Sequence, residues 1–140
     1  MPIYPSADQR GALATLLANK PIYMLNLLKY RDKALYENPT EAQKKLTGRE
    51  AYQIYGKNTA KCIAKVGGKV AFYGNAALLY IGNEGDFPYD DVIIVEYPSK
   101  DAFMEMQRMP EFQSGMKDRQ AGLDYQLLVA CLAENFGGKI

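Results

Sequence analysis

Pro21-Ile22-Tyr23-Met24-Leu25-Asn26-Leu27-Leu28-Lys29-Tyr30 is apolar on both of its alternating faces. Successive strand side chains point to opposite sides, so Ile22, Met24 and Leu28 face one way and Tyr23, Leu25 and Leu27 the other. Pro21 before it and Arg31-Asp32 after it bound a strand over 22–28. The pattern recurs twice. Val92 and Ile94 oppose Ile93, Val95 and Tyr97 in 92–97, and Leu127 and Val129 oppose Leu128, Ala130 and Leu132 in 127–132. An antiparallel sheet packed on one side keeps its other face polar. Here both faces call for burial.

The segments between these strands read as helices. Ser6-Ala7-Asp8-Gln9 is a capping box, opening a helix over 6–19 with Leu13, Leu16 and Leu17 on one stripe and Asn19 as its stop. Residues 31–46 form a charged insertion, broken at Asn38-Pro39, with one short helix after Pro39. Thr47-Gly48-Arg49-Glu50 is a second capping box; behind it Tyr52, Tyr55, Thr59, Cys62 and Val66 recur at helical spacing until Gly67-Gly68 stops the run. An extended segment spans 69–81 with Gly74 as a bulge, and a loop spans 83–90 around Gly85 and Pro88. Ser99 caps a helix carrying Phe103 and Met106; Pro110 starts a successor in which Phe112, Met116 and Arg119 share a face and which Gly122 ends. The tail 135–140 is Gly-rich and expected to fray.

After the N-terminal helix the order is strand, helix, strand, strand, helix pair, strand. That order makes an α+β domain, an antiparallel sheet with helices on one face. Helices are available for only one of two apolar faces, so the simplest cover for the other is a second copy of the sheet. The expected assembly is a homodimer.

Composition narrows the chemistry. The 140 residues suit a single domain, with 48% hydrophobic and 24% charged residues. Seventeen Lys and Arg against 16 Asp and Glu leave a net charge of +1, which offers no footprint for nucleic acid and no polybasic membrane anchor. There is no His, so Ser-His-Asp and Cys-His nucleophiles, His-ligated haem and His-containing metal sites are excluded. Any base must be Glu, Asp, Tyr or Lys. Cys62 and Cys131 lack zinc or redox spacing and read as separately buried thiols. No stretch approaches the ~20 apolar residues of a membrane span, and 1–10 lacks a signal-peptide core. A cytoplasmic protein without haem or a structural metal is expected.

Several motifs together carry a family resemblance. They are 21–30, Gly48-Arg49-Glu50-Ala51-Tyr52, Gly67-Gly68, Tyr73-Gly74, Val95-Glu96-Tyr97-Pro98-Ser99, Phe103, Met109-Pro110-Glu111-Phe112-Gln113 and Arg119. Over residues 20–132 the chain resembles the domain-of-unknown-function 1330 family, within the dimeric α/β-barrel superfamily of ferredoxin-like folds. The resemblance implies that fold, a homodimer, and a ligand space between the sheet and its helices. Superfamily relatives include cofactor-free monooxygenases, small-ring isomerases and haem enzymes; several depend on a His or Trp that this chain lacks.

Asn26 sits in register with Met24 and Leu28 on an otherwise apolar strand. It either satisfies a neighbouring backbone group or donates to a developing oxyanion. Eleven Tyr against five Phe is a skewed ratio, and Tyr52, Tyr55, Tyr23, Tyr73 and Tyr80 are either core residues with bonded hydroxyls or phenol donors of a pocket. Glu96 shares a face with Val92 and Ile94, and is either paired, with Arg119 or Arg49, or desolvated. The adjacent acids Asp90-Asp91 read as solvated residues at a strand start. The expected site places Asn26 and Glu96 as catalytic groups, Tyr55, Tyr73 and Arg119 around the same cavity, Arg49 at its mouth and 31–46 as a mobile rim. Two functions fit: cofactor-free oxygenation or isomerisation of a hydrophobic carbonyl compound, or a non-catalytic ligand-binding or dimeric structural module.

Overall fold

The computed structural model describes residues 2–16 and 19–134; Leu17 of the first apolar stripe and the tail 135–140 lie outside the described residues. Four strands, β1 (Ile22–Tyr30), β2 (Lys69–Asn75), β3 (Asp91–Tyr97) and β4 (Leu123–Cys131), form one antiparallel sheet in the order β2-β3-β1-β4. With helices on one side, this is the ferredoxin-like arrangement. No helix among the described residues is long and apolar enough to cross a membrane.

Both capping boxes form. Ser6 and Gln9 open α1 (Ala7–Ala14), which stops at Thr15, well short of Asn19, and contains no buried residue. Thr47 and Glu50 open α2 (Gly48–Lys65), the main helix; Gly67 lies beyond its end at φ +82°, the left-handed conformation that glycine adopts without a side-chain clash. Ser99 caps α3 (Lys100–Gln107). The expected single successor is two short helices, α4 (Pro110–Ser114) and α5 (Met116–Gly122), hinged at Gly115. A Cβ on Gly122 would lie 2.5 Å from the carbonyl oxygen of Gly48, so the glycine lets α5 sit directly on the start of α2.

Register decides which side chains meet. In β1, Asn26 is paired with Ile93 on one side and Leu128 on the other, and Leu28 with Asp91 and Gln126. Ile22, Met24, Leu28, Val95 and Tyr97 therefore lie under the helices and are buried with Tyr52, Phe103 and Met106. The opposite face carries Leu25, Leu27, Val92 and Ile94, half-buried, and Phe72, Leu127 and Val129 at 54%, 43% and 47% exposure. No element of the described chain covers it. Cys131, opposite Tyr23 in the ladder, belongs to this face and is half-buried, whereas Cys62 is buried as expected.

Three expectations need correction. The extended segment ends at Asn75 instead of 81, because β3 begins at Asp91, the partner of Asn75, and no strand remains to pair with residues 76–81. Leu78, Tyr80 and Ile81 are accordingly exposed at 80%, 88% and 84%. The bulge falls between Val70 and Phe72, not at Gly74. The insertion 31–46 does contain a short 3-10 turn at Gln43–Lys45, but it is stitched down. The amides of Arg31 and Leu35 donate to the carbonyls of Gly122 and Ala121, and the Tyr36 hydroxyl donates to Asp118 at 2.7 Å.

Candidate functional site

A cavity of about 790 Å³ opens between the helix-facing side of the sheet and the helices. Its walls are mainly apolar: Met24 and Val95 from the sheet, Ile63 from α2, Phe103 and Met106 from α3, Phe112 from α4. Its volume falls in the ~300–1,000 Å³ range of small-molecule sites. The N-terminal segment closes one side, contributing Ile3, Tyr4, Arg10 and Leu13. This segment, not the insertion 31–46, forms the rim.

Three polar side chains in the wall act in series. The Arg119 guanidinium donates from Nη2 to the Ile3 carbonyl and to Gln126 Oε1, each at 2.5 Å. Gln126 Nε2 donates to Asn26 Oδ1 at 2.8 Å, and Asn26 Nδ2 donates to the carbonyls of Met24 and Ile93 at 3.1 Å. Both amide hydrogens of Asn26 are thus committed to backbone, and its oxygen to Gln126. Arg119 Nη1, by contrast, is buried with no hydrogen-bond partner among the described residues. The Tyr4 ring lies 5.1 Å from the guanidinium carbon.

Three phenols of the cavity wall, Tyr52, Tyr55 and Tyr97, are held protonated. Burial pushes the Tyr52 hydroxyl far above its usual range, with nearby Arg119 opposing, and does the same for Tyr55. Burial likewise raises Tyr97, whose hydroxyl contacts the Met106 sulfur at 3.6 Å. No Asp or Glu among the described residues lines the cavity.

A second polar cluster lies beyond β1. Asp91 is fully buried, and its Oδ2 accepts from the Tyr30 hydroxyl at 2.6 Å, Arg49 Nη1 at 2.6 Å and the Tyr73 hydroxyl at 3.0 Å. Its Oδ1 accepts from Asn75 Nδ2 at 2.9 Å. Burial alone would push this carboxyl up; the hydrogen bonds from Tyr30, Arg49, Asn75 and Tyr73 outweigh it and hold the group below its ordinary range. Arg49 also stacks over Tyr30, its guanidinium carbon 4.8 Å from the ring centre.

The structure therefore divides the expected site. Asn26, Tyr55 and Arg119 line the cavity together. Tyr73 and Arg49 belong to the Asp91 cluster and line no part of the cavity, so Arg49 is not at its mouth. Glu96 lies across the sheet from Asn26, beside Tyr23, because its neighbours Val95 and Tyr97 take the helix side. It forms no ion pair with Arg119 or Arg49, whose partners are Ile3, Gln126 and Asp91. Glu96 does raise the Tyr23 phenol through a hydrogen bond. Tyr80 is in no strand and is exposed. Asp91, read as solvated, is the principal residue missed. A signal existed: Asp91 shares the alternation of Ile93, Val95 and Tyr97, so an acid stood at a core-facing position. Gln126, which joins Arg119 to Asn26, carried no such mark.

Comparison with known proteins places the chain. The family described as "Domain of unknown function (DUF1330)" matches residues 42–131. Two solved structures of the RPA0582 protein, one described as of unknown function from Rhodopseudomonas palustris, are similar to the chain at 34% identity, with TM-scores of 0.86 and 0.83. The first covers 97% of each chain, the second 95% of this chain and 97% of that one. SnoaB, a cofactor-independent oxygenase from Streptomyces nogalater, shares the fold at 13% identity and a TM-score of 0.53, over 86% of this chain and 99% of its own. A hydroxynitrile lyase from Passiflora edulis does so at 6% identity and 0.55, over 84% and 97%. No curated protein matches in sequence. With 42–131 matched and a relative 34% identical along nearly its whole length, the chain belongs to the domain-of-unknown-function 1330 family.

Proposed function

We propose that the protein binds a small hydrophobic compound, with an oxygen acceptor at one end, in the cavity beneath α2. One observation carries the proposal: Arg119 lines that cavity, and its Nη1 is buried with no hydrogen-bond partner among the described residues. An unpaired buried donor costs about 1–3 kcal/mol, and more on a charged group. A ligand carbonyl would satisfy it, while the apolar walls take the ligand's body.

An enzymatic version has partial support. A guanidinium in a dry cavity would stabilise an enolate during cofactor-free oxygenation or isomerisation of a carbonyl compound, and the likeness to SnoaB is in keeping with such chemistry. A base is harder to supply. Glu96 is on the wrong face, the Tyr52, Tyr55 and Tyr97 phenols are held protonated, and Asn26 has no free amide hydrogen for an oxyanion. Binding without turnover is the reading these contacts favour. Calorimetry with aromatic and aliphatic ketones tests it. Micromolar binding by the wild type should weaken about tenfold or more, roughly 1.4 kcal/mol, in Arg119→Met. Equal binding by the variant, or none by the wild type, overturns the proposal. Oxygen uptake or product formation with any bound ketone would restore the enzymatic version.

The uncovered apolar face supports a homodimer packed sheet to sheet. Light scattering at micromolar concentration should then report about twice the 15.7 kDa chain mass; a folded monomer would remove this part of the proposal.

A further inference from the structure

We infer that the cavity's ligand is a hydrophobic monocarboxylate, and that its capture fastens the N-terminal segment over the cavity through Arg119. The inference rests on the binding role proposed above and adds the charge of the ligand and a coupled closure.

Charge is the first ground. A ketone would satisfy the hydrogen bond of Nη1 but not the charge behind it. Among the described residues the cavity wall holds two cations, Arg10 and Arg119, and no acid, and no ion pair includes Arg119. A cation partly withdrawn from water is costly unless paired, and a planar guanidinium is matched best by a carboxylate. The Asp91 cluster shows how the same chain treats Arg49, which it gives a buried carboxylate at 2.6 Å. Arg119 has no such counter-charge among the described residues, and it lines the cavity.

The second ground is that Arg119 is already a fastening. Its Nη2 holds the Ile3 carbonyl, and Tyr4 stacks on its guanidinium. The segment's other hydrogen bonds run from Gln126 N–H to the Pro2 carbonyl, from Gln120 Nε2 to the Tyr4 hydroxyl, and from Lys100 Nζ to the Ala14 carbonyl. α1 has no buried residue, and the segment's apolar hold on the core is limited to the partly buried Ile3 and Leu13. Segments of that kind open locally at small free-energy cost. Opening would remove Ile3, Tyr4 and Leu13 from the wall and release one side of the guanidinium plane. A ligand seated between Nη1 and that wall binds the closed form better, and so shifts the segment toward closure.

The test uses the full-length protein and two matched probe pairs: decanoate with its methyl ketone, and naphthoate with acetylnaphthalene. Affinity is read by calorimetry, and opening by the rate of tryptic cleavage between Arg10 and Gly11, in α1. In at least one pair the carboxylate should bind about tenfold tighter than the ketone, a difference of roughly 1.4 kcal/mol. Saturating carboxylate should slow the cleavage several-fold. Arg119→Gln should lose both the preference and the protection, and Arg119→Lys should recover part of the preference. Tyr4→Ala should keep the preference and lose part of the protection. Equal affinity of ketone and carboxylate overturns the inference while leaving the proposed binding role intact. A carboxylate preference with no protection overturns the closure. If neither member of either pair binds, the binding role itself falls.

Discussion

Asp91 and Gln126 both sit opposite Leu28, one on each side of the central strand, and each anchors a polar cluster beneath the helices. The clusters differ in completeness. Around Asp91 four donors meet one carboxylate, and the arginine among them has its counter-charge. Around Gln126 the arginine has acceptors for Nη2, nothing for Nη1, and a cavity beside it. The satisfied cluster ties strands and a helix together; the unsatisfied one, beside a cavity, is the one on which the proposed ligand rests. Arg49 is matched by a carboxylate of the protein, and Arg119 by neutral acceptors alone among the described residues.

The comparison breaks most visibly at Asp91. Asp91→Ala should cost about 3–5 kcal/mol in urea denaturation, because it strands Arg49, two phenols and Asn75 without an acceptor. A loss below about 1 kcal/mol would mean the cluster is not the structural anchor described. Acid should act in the same direction. The folded carboxyl titrates below its unfolded value, so its stabilisation is complete above about pH 4 and is lost as pH falls through the lower folded value. The urea midpoint should therefore drop below about pH 4, and Asp91→Asn should flatten that drop.

Arg119→Met should behave differently, costing only about 1–2 kcal/mol of stability for two lost hydrogen bonds while weakening ligand binding about tenfold or more. A loss as large as that of Asp91→Ala would make Arg119 structural and erase the contrast. The smallest expected effect is that of Tyr73→Phe, about 1 kcal/mol or less, since Tyr30 and Arg49 still reach the same carboxylate oxygen. Ligand affinity should be unchanged in that variant, as Tyr73 lines no part of the cavity.

Much of the fold was legible because local rules suffice for it. Ser6 with Gln9 and Thr47 with Glu50 mark helix starts that form as written, since a capping box is closed by residues three apart. Strand alternation sorts Leu25 and Ile94 from Met24 and Val95 before any pairing is known. Arg119 was legible as a charge sharing a helix face with Phe112 and Met116. The end of β2 was not, because whether 76–81 is a strand depends on a partner and not on its own apolar residues.

Alternation within each strand, caps, stops and the absence of histidine were determined by the sequence alone, for each depends on neighbours a few residues apart or on composition. Which polar groups meet was decided only by the tertiary structure. The donors to Asp91 stand 61, 42, 18 and 16 residues away, and the Ile3 carbonyl stands 116 from Arg119. Alternation says that Asn26 and Glu96 each take a side of their own strand. The pairing of Tyr23 with Glu96 and of Asn26 with Ile93 puts those sides opposite one another. Register between strands is a long-range property: the hydrophobic burial of the whole sheet selects it, and a shift of one residue would have exchanged the faces.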